Sequence, residues 1–391
     1  MKLKLTAEFR SSLLTIVASA ICGALAGSIS GSIFAQLPQK IVEAPSAYAT
    51  STAGGSASST ASEKPNIKIV DIQPSSPQQI VPPGFANRSP AAGIVYHASG
   101  KQQTLLRRSD IVSQAVALTS DGWFAVPYSA VKGMKLADIT IWKDERAVHP
   151  SKGIIDTSAS IVFLKADITS GSTPAFARYS DVASGMSVWV ERKPGSYSPM
   201  TIAALGEDAT SLNGVSSETS QKRIILSGLV GKEDLGAPVW SSDGALLGVI
   251  DMSTGTATVI PSSAWEPSLF GVFADGTIIH PLLGVNSVDI SYAPLLNPPA
   301  GLPTRGAWIL GNADTKQPAI TPNSPAASAG LQEGDVIQLV DRDILDGRAD
   351  LGETLVQYKP GSQVTLTVIR AGKSLEIPVT LGSITVSQEM K

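Results

Sequence analysis

Short apolar runs that alternate with turn residues constrain the fold of this chain more than any other feature. Between about Gly93 and Ser263 they recur as AVALT, WFAVP, ADITIWK, SIVFLKAD, SVWVER, MTIAALG, RIILSG, LLGVIDM and TATVIP. Runs of this length, rich in β-branched residues and broken by Gly, Asp and Ser, are typical of an antiparallel sandwich or barrel. No comparably long helical pattern interrupts them, so the sequence predicts that the middle of the chain is all-β.

The composition supports this prediction and excludes one class of partner. The 391 residues include 35 glycines and 26 prolines, which favours turns and short strands over long helices. The formal net charge is -3 and no long basic run is present. Because proteins bind nucleic acid mainly through clustered positive charge, we predict no nucleic-acid partner.

The cysteine and histidine content argues against metals and disulfides. The single cysteine, Cys22, lies in an apolar N-terminal segment, so no intramolecular disulfide and no cysteine-based zinc site can form. The three histidines, His97, His149 and His280, are widely separated and lack nearby clustered carboxylates, so metal-ligand spacing is absent. We therefore predict no metal and no cofactor.

An uncharged segment near the N-terminus predicts a membrane anchor. Residues 12–35 read SLLTIVASAICGALAGSISGSIFA, and Lys2, Lys4 and Arg10 precede them. An apolar stretch of about 20 residues or more crosses ~30 Å of hydrocarbon as a helix. Positive residues on the short flank favour keeping that flank in the cytoplasm. We predict a single-pass transmembrane helix in the cell membrane, with residues 1–11 cytoplasmic and the bulk of the chain extracytoplasmic.

The alternative to this anchor is a signal peptide that is removed by cleavage. Two features argue against cleavage: the apolar stretch is long for such a peptide, and Ile33, close to a possible cut after Ala35, is not small. Residues 36–88, which follow, consist largely of Ser, Thr, Ala and Pro. Such a composition buries too little apolar surface to offset the entropy of ordering, so we predict a flexible linker there.

Four motifs in the β region resemble the trypsin-like domain of the HtrA (Deg) proteases. SDGWFAVPYSAVKG, DTSASIVFLKAD, EDLGAPVWSSDGALLGVIDM and GTATVIPSS are similar, in the same order, to DGYILTNNHVVKGA, DPxTDIALLKI, GNSGGPLVNxxGEVIGINT and GIGFAIPSN of that family. The resemblance spans residues 115–263. It implies two Greek-key β-barrels with the active site between them, and we expect this domain to occupy residues 89–265.

The residues at the family's catalytic positions differ from the family pattern. The histidine, aspartate and serine of the triad fall on Ser129, Ser160 and Leu235. A nucleophilic serine needs a hydrogen-bonded base, and a leucine has no heteroatom with which to attack. Glu233 and Asp234 place carboxylates where an oxyanion would develop. We therefore predict no catalytic residues at these three positions and no enzyme activity, which makes the chain a pseudoprotease.

A catalytic set formed by residues outside the three family positions remains an alternative. His149 lies shortly before Asp156 in the sequence, and serines are plentiful. Residue spacing cannot establish the geometry of a Ser/His/Asp set, and we expect both His149 and His97 to lie on polar surface turns. Asp251, at the end of an apolar run, is either a pocket residue or a structural polar group.

Residues 280–382 resemble a PDZ domain of the HtrA type. LLGV is similar to the carboxylate-binding loop of that family, and PNSPAASAGLQEGDVIQLVDRDI is similar to xxSPAxxAGLxxGDVIxxINGxxI. The resemblance implies a PDZ domain, expected over 280–385, that accepts a peptide as an extra strand while backbone N–H groups of the loop hold its terminal carboxylate. The predicted peptide-binding residues are Leu282, Leu283, Gly284, Val285 and His280, the last in place of a family arginine.

These resemblances imply a function at the bacterial cell envelope. We expect a membrane-anchored, HtrA-like pseudoprotease, in the periplasm for example, that binds protein or peptide C-termini through its PDZ domain as a scaffold or regulator. The family resemblance also implies a possible homo-oligomer, a trimer. Two alternatives remain: an active serine endopeptidase of envelope protein quality control with rearranged catalytic residues, and a structural envelope protein that binds no peptide.

Overall fold

The structure is a computed structural model, and it describes residues 85, 90–98, 105–171, 173–207, 214–220, 222–253, 257–291, 295 and 298–391. The predicted anchor over 12–35 and almost all of the predicted linker lie outside the described residues. Within the described ranges, no helix has the length and apolar character needed to cross a membrane. The described residues belong to a single compact unit.

The first part of the chain folds into one antiparallel sheet. Its strands are β1 (Ala92–His97), β2 (Ile111–Ala117), β3 (Trp123–Pro127), β4 (Ile139–Lys143), β5 (Arg146–Val148), β6 (Lys152–Asp156) and β7 (Ile161–Lys165). An eighth strand, β23 (Ser387–Glu389), comes from the C-terminus and pairs with β6, so that the order is β23-β6-β7-β3-β2-β1-β4-β5. Every residue of β3 is buried, which is why this apolar run carries no polar alternation.

The second part forms a closed barrel of six strands. They are β8 (Ser187–Lys193), β9 (Ser196–Glu207), β11 (Lys222–Ser227), β12 (Pro238–Ser241), β13 (Leu246–Asp251) and β14 (Thr258–Pro261). The order around the barrel is β11-β14-β13-β12-β8-β9. A two-residue strand, β10 (Val215–Ser216), follows β9 in the chain but leaves the barrel and joins the sheet of the next domain.

The C-terminal part combines a sheet with short helices. Its elements are β15 (Ile279–Leu282), β16 (Asn286–Asp289), β17 (Ala307–Ile309), β18 (Val336–Val340), β19 (Asp343–Ile344), β20 (Gln363–Arg370), β21 (Lys373–Thr380) and β22 (Gly382–Thr385). The sheet has the order β10-β16-β17-β18-β20-β21, with β19 on β18, while β15 pairs with β22. In the whole described chain the α-helices are α1 (Tyr128–Val131), α2 (Leu269–Ala274), α3 (Pro325–Ser328) and α4 (Leu351–Leu355).

Capping residues explain where the two helices of the C-terminal part begin. The Ser324 side chain accepts a hydrogen bond from the backbone N–H of Ala327, and a proline follows at the first position of α3. The Asp350 carboxylate likewise accepts the N–H of Glu353 at 2.6 Å at the start of α4. Such caps satisfy N–H groups that have no partner inside the helix, and each is worth about 1 kcal/mol.

Two large tryptophans hold the β-sheet parts together. Trp240 and Trp265 are almost completely buried in one hydrophobic cluster that also contains Val116 and Ile161 of the first sheet. A separate cluster, with Leu283 and Leu366 among its members, forms the core of the C-terminal part. Fully burying side chains of this size stabilises the fold by roughly 1.5–3 kcal/mol each.

The end of the chain returns to the first sheet. The N–H of Met390 donates to the carbonyl of Gly153 at 2.9 Å, and the N–H of Leu136 donates to the carbonyl of Lys391 at 2.9 Å. The side chain of Met390 is buried in the core of this sheet. Residues beyond 385, which the sequence left unassigned, therefore belong structurally to the first sheet.

Candidate functional site

Backbone contacts locate the three triad-equivalent positions, Ser129, Ser160 and Leu235, relative to the first sheet. Ser129 lies on α1, directly after β3, and the N–H of the preceding Tyr128 donates to the carbonyl of Ser160 at 2.9 Å. The carbonyl of Leu235 accepts the N–H of Gln114 on β2 at 2.7 Å. The N–H of Gly236, next to Leu235, donates at 2.8 Å to the carbonyl of Ile250 on β13, the strand that ends at Asp251.

A serine and carboxylate network lies in the cleft between the two β-sheet parts. The Ser129 hydroxyl donates to Oδ1 of Asp251 at 2.5 Å, and the Ser253 hydroxyl donates to Oδ2 at 2.5 Å. Asp251 is buried at the end of β13, whereas Ser129 is half-buried. Asp251, whose role the sequence left open, is thus the hydrogen-bond partner of the residue at the family's histidine position.

The loop before β12 approaches the first sheet closely at a glycine, and an ion pair joins it to β8 of the barrel. Gly236 has φ of +76°, and a Cβ atom there would lie 2.1 Å from the carbonyl oxygen of Gln114, so only glycine permits this contact. The buried carboxylate of Asp234 lies 2.8 Å from Nη1 of Arg192 and accepts the N–H of Gly231. One of the two carboxylates expected to oppose an oxyanion is therefore paired with a positive charge.

A buried Ser/His/Asp cluster lies elsewhere in the molecule. The Ser268 hydroxyl donates to Oδ2 of Asp156 at 2.6 Å and lies 3.1 Å from Nε2 of His280. These residues are 2%, 0% and 6% exposed, respectively. Burial lowers the pKa of His280, while the charge of Asp156 acts in the opposite direction. The sequence drew attention to Asp156 and His280 separately, but no local signal pointed to Ser268.

The two other histidines lie apart from this cluster. His149 is exposed, and its Nδ1 lies 2.8 Å from the carbonyl oxygen of Ile139. Asp156 is completely buried, so the structure does not bring His149 and Asp156 into one catalytic set. Within the ranges that the structure describes, no group of three or more His, Cys, Asp or Glu residues is placed to hold a metal ion.

The predicted carboxylate-binding loop holds a carboxylate of this same chain. The N–H groups of Leu283 and Gly284 both donate to Oε1 of Glu218, each at 3.0 Å. The next N–H, that of Val285, donates to the hydroxyl of Ser217 at 3.3 Å. Gly284 has φ of +83° and a Cβ atom there would lie 2.4 Å from Cβ of Ser324, so the loop requires glycine at this position. The loop geometry is therefore suited to an anionic ligand.

The other predicted peptide-binding residues flank this loop. Leu282 ends β15 and pairs with Gly382 on β22. His280, on the same strand, has Ser268 and Asp156 as its neighbours rather than Glu218. No feature of the sequence pointed to Glu218, because it precedes Leu283 by 65 residues in the chain.

A buried ionic cluster lies beside the loop at α4. Nζ of Lys222, which is 1% exposed, lies 3.0 Å from Oε2 of Glu353 and donates to the carbonyl of Arg348. Burial and the nearby charge of Glu353 raise the pKa of Asp350 to about 7, against the opposing effect of Lys222. These contacts join the start of β11 to the C-terminal domain.

Comparison with known proteins places these features in context. The profile described as PDZ domain matches residues 281–381. The chain is 28% identical over 189 residues to Serine endoprotease DegS of Haemophilus influenzae, covering 46% of this chain and 49% of the relative. It is 28% identical over 153 residues to Serine protease Do-like HtrB of Bacillus subtilis, covering 37% and 33%. It is 27% identical over 201 residues to Periplasmic pH-dependent serine endoprotease DegQ of Escherichia coli, covering 47% and 41%.

Solved structures show the same fold. HtrA-type protease AlgW with decapeptide is similar at a TM-score of 0.53 and 19% identity, covering 77% of this chain and 98% of that chain. The same protease with tripeptide has a TM-score of 0.53 and 19% identity, covering 77% and 96%. By contrast, the chain spans half or less of the length of the curated relatives that it matches.

The fold and the loop define the class: a trypsin-like fold with β-barrels, followed by a PDZ domain. This confirms the predicted fold class for the described part of the chain. Within that class, the chain is a homologue of the HtrA/Deg serine proteases with a C-terminal PDZ domain. Of the three relatives above, DegQ of Escherichia coli is named as periplasmic.

The prediction that this chain is not an enzyme is wrong, because the relatives that it matches are named serine proteases and endoproteases. The prediction relied on the side chains of Ser129, Ser160 and Leu235, and on the carboxylates of Glu233 and Asp234. A catalytic set is defined by the geometry and roles of its members rather than by sequence positions, so replacements at three positions do not decide activity.

Proposed function

We propose that this chain is an HtrA-type envelope protein that binds peptides and proteins through the carboxylate-binding loop of its PDZ domain, as a scaffold or regulator. The observation that carries the proposal is the pair of N–H groups, from Leu283 and Gly284, that donate to one carboxylate oxygen. Hydrogen bonds to an ionised acceptor are roughly twice as strong as neutral ones, so a free C-terminal carboxylate is a suitable ligand.

The strand that follows the loop provides the second part of the binding site. β16 lies next to β17 on one side, and its other edge accepts a further strand, as its pairing with β10 shows. A peptide that adds to this edge gains main-chain hydrogen bonds, and its end reaches the loop. Leu282 and Val285 bound the loop, while His280 contributes through the buried contacts behind it.

The proposed location of peptide binding, outside the cytoplasm at the membrane, rests on the N-terminal segment. Residues 12–35 would hold the protein at the membrane, and residues 36–88 would let the folded part reach ligands outside the cytoplasm. A homo-oligomer, of three copies by family resemblance, would present several loops at once and raise the avidity for a multivalent ligand. Analytical ultracentrifugation of the purified full chain measures this assembly state.

Carboxylate selectivity tests the proposal. The probe is a fluorescein-labelled heptapeptide, SLNGVSS, taken from residues 211–217 of this chain, made with either a free C-terminal carboxylate or a C-terminal amide. The purified full chain is expected to bind the carboxylate form at least about tenfold more tightly, because the amide removes the charge that strengthens two hydrogen bonds. Equal binding of the two forms would contradict the proposal.

Two glycine variants make this test specific to the loop. Gly284→Ala forces the loop to move, because its Cβ would lie 2.4 Å from Ser324, and is expected to remove the selectivity. Gly361→Ala is the matched control, since its φ is also +83° but its Cβ would meet no described atom within 4 Å. A Gly284→Ala protein that keeps full selectivity would show that the peptide binds elsewhere.

A second candidate function is serine endopeptidase activity with rearranged catalytic groups. The relatives are named serine proteases, and the half-buried Ser129 hydroxyl donates to the Asp251 carboxylate in the cleft, a contact through which a carboxylate could accept the serine proton. Labelling of the full chain with a fluorophosphonate tests this function. The labelling is expected to disappear in Ser129→Ala and to persist in Ser268→Ala; absence of labelling in the unaltered chain counts against it.

A further inference from the structure

We infer that residues 214–219, the internal ligand, occupy the peptide groove of the PDZ domain and that an external C-terminus binds only after displacing them. The inference rests on the proposed function, because it concerns the same loop and the same edge of β16. It adds a regulatory property: the groove is closed by the chain itself, and its apparent affinity depends on how readily this segment leaves.

The backbone of the internal ligand follows the path that a bound peptide would take. Val215 pairs with Ser287, and Ser216 pairs with Asn286, in antiparallel register on the free edge of β16. The N–H of Ser217 then donates to the carbonyl of Val285 at 2.9 Å. Strand addition at this edge is the recognition mode proposed above for external peptides. Because an edge accepts one strand, the internal ligand and a peptide exclude each other.

The Glu218 side chain takes the place of a terminal carboxylate. Its Oε1 accepts the N–H groups of Leu283 and Gly284, as described above, and also the hydroxyl of Ser217 at 2.6 Å. Its Oε2 accepts the hydroxyl of Ser216 at 2.6 Å. The two serines orient the carboxylate toward the loop, so this is a built contact rather than an incidental approach of a surface side chain.

The far wall of the groove is also in contact with the internal ligand. A Cβ atom on Gly352, in α4, would lie 2.9 Å from the carbonyl oxygen of Thr219 and 3.3 Å from that of Ser217. The segment thus fills the space between β16 and α4. A second chain cannot enter while it is there, since neighbouring strands need about 4.8 Å of separation.

The attachment of the segment keeps it close to the groove. Just after it, Lys222 is buried in the ion pair with Glu353 of α4. An intramolecular ligand on so short a connection has an effective concentration of roughly millimolar or more. The groove is therefore open to an external peptide in only a fraction of the molecules. The apparent affinity of the peptide is reduced by that fraction.

Removal of the internal carboxylate tests the inference. The full chain and its Glu218→Ala variant are titrated with the two forms of the SLNGVSS peptide used above. We expect Glu218→Ala to bind the free-carboxylate form at least about tenfold more tightly than the unaltered chain, with Glu218→Gln intermediate, because the competing ligand loses its charge. Glu266→Ala, which removes an exposed glutamate elsewhere, is the matched control and should leave the affinity unchanged.

The outcomes separate this inference from the proposed function. Equal affinity in the unaltered chain and Glu218→Ala, with the carboxylate form still preferred over the amide, would overturn the internal ligand and leave the proposed function standing. Failure of both proteins to prefer the carboxylate form would overturn both.

A reversible crosslink provides a second test that does not depend on the carboxylate. Val215 and Ser287 form a cross-strand pair, and paired residues in antiparallel strands have Cα separations within the range of a disulfide. In a Cys22→Ser background, the Val215→Cys/Ser287→Cys protein is expected to bind the peptide only when reduced. Equal binding by the oxidised and reduced forms would overturn the inference, and each single-cysteine variant controls for the substitution itself.

Discussion

The cleft between the β-sheet parts and the groove of the PDZ domain differ in how their sites are built. At the cleft, the family's site consists of side chains, and the residues at those positions here are Ser129, Ser160 and Leu235. At the groove, the donors are the backbone N–H groups of Leu283 and Gly284 and they still converge on one carboxylate. A site made of main chain tolerates changes in side chains as long as the backbone conformation is kept, whereas a site made of side chains does not.

This difference predicts that side-chain clusters are the most sensitive to substitution. Asp156 accepts hydrogen bonds from the N–H and hydroxyl of Ser158 and from the hydroxyl of Ser268, and it is completely buried. Asp156→Ala leaves these donors unsatisfied and is expected to lower the free energy of unfolding by about 3–5 kcal/mol. Urea denaturation measures the change. Asp121→Ala, at an exposed carboxylate, is the control and should change it by less than about 1 kcal/mol.

Glycine substitution tests how much the close backbone contact at the cleft contributes to the free energy of unfolding. Gly236→Ala introduces a Cβ that would lie 2.1 Å from the carbonyl oxygen of Gln114, at a φ of +76°. Gly372→Ala has nearly the same φ, +77°, and would meet no described atom within 4 Å. We expect Gly372→Ala to destabilise the fold by about 1 kcal/mol and Gly236→Ala by about 2–4 kcal/mol, as measured by urea unfolding. Equal losses would mean that the close approach to β2 contributes nothing.

The groove wall contains a titrating group whose effect on stability has a defined sign. The pKa of Asp350 rises from 3.8 to about 7 on folding, so the folded state favours the protonated form. Its contribution is therefore most favourable below about pH 4 and is lost as the pH rises to about 7. Asp350→Asn removes this titration and retains a capping side chain. The unfolding free energy of the variant relative to the unaltered chain should increase by roughly 3–4 kcal/mol between pH 4 and 8. A constant difference across this range would contradict the assignment.

The effect of His280, in the buried Ser/His/Asp cluster, on the free energy of unfolding should have the opposite pH dependence to that of Asp350 and be smaller. Burial lowers the pKa of His280 below its ordinary value of 6.5, so the folded state favours the neutral imidazole. Its contribution is present above pH 6.5 and is lost as the pH falls below that value. We expect His280→Gln to reduce the loss of stability between pH 7 and 5 by about 1 kcal/mol or less, measured by urea unfolding at each pH. A variant with an unchanged pH profile would show that folding does not lower the pKa of His280.

Local sequence pattern was sufficient for much of the fold. The apolar runs with turn residues between them correspond to strands such as β3, β7 and β13, because the alternation of burial and turns is a property of neighbouring residues. The LLGV motif likewise led to the loop at Leu283 and Gly284. The inference from three replaced side chains to the absence of enzyme activity was wrong, because activity depends on which groups meet in space.

The sequence by itself determined the all-β character of the middle of the chain, the PDZ-like domain and the position of its carboxylate-binding loop. Only the tertiary structure decided that Glu218 fills this loop, that Ser268 joins Asp156 to His280, and that the C-terminal strand β23 pairs with β6. The physical reason is that these contacts join residues far apart in the chain through hydrogen bonds and ion pairs. Such partners are selected by the packing of whole domains and leave no periodic signal in the residues between them.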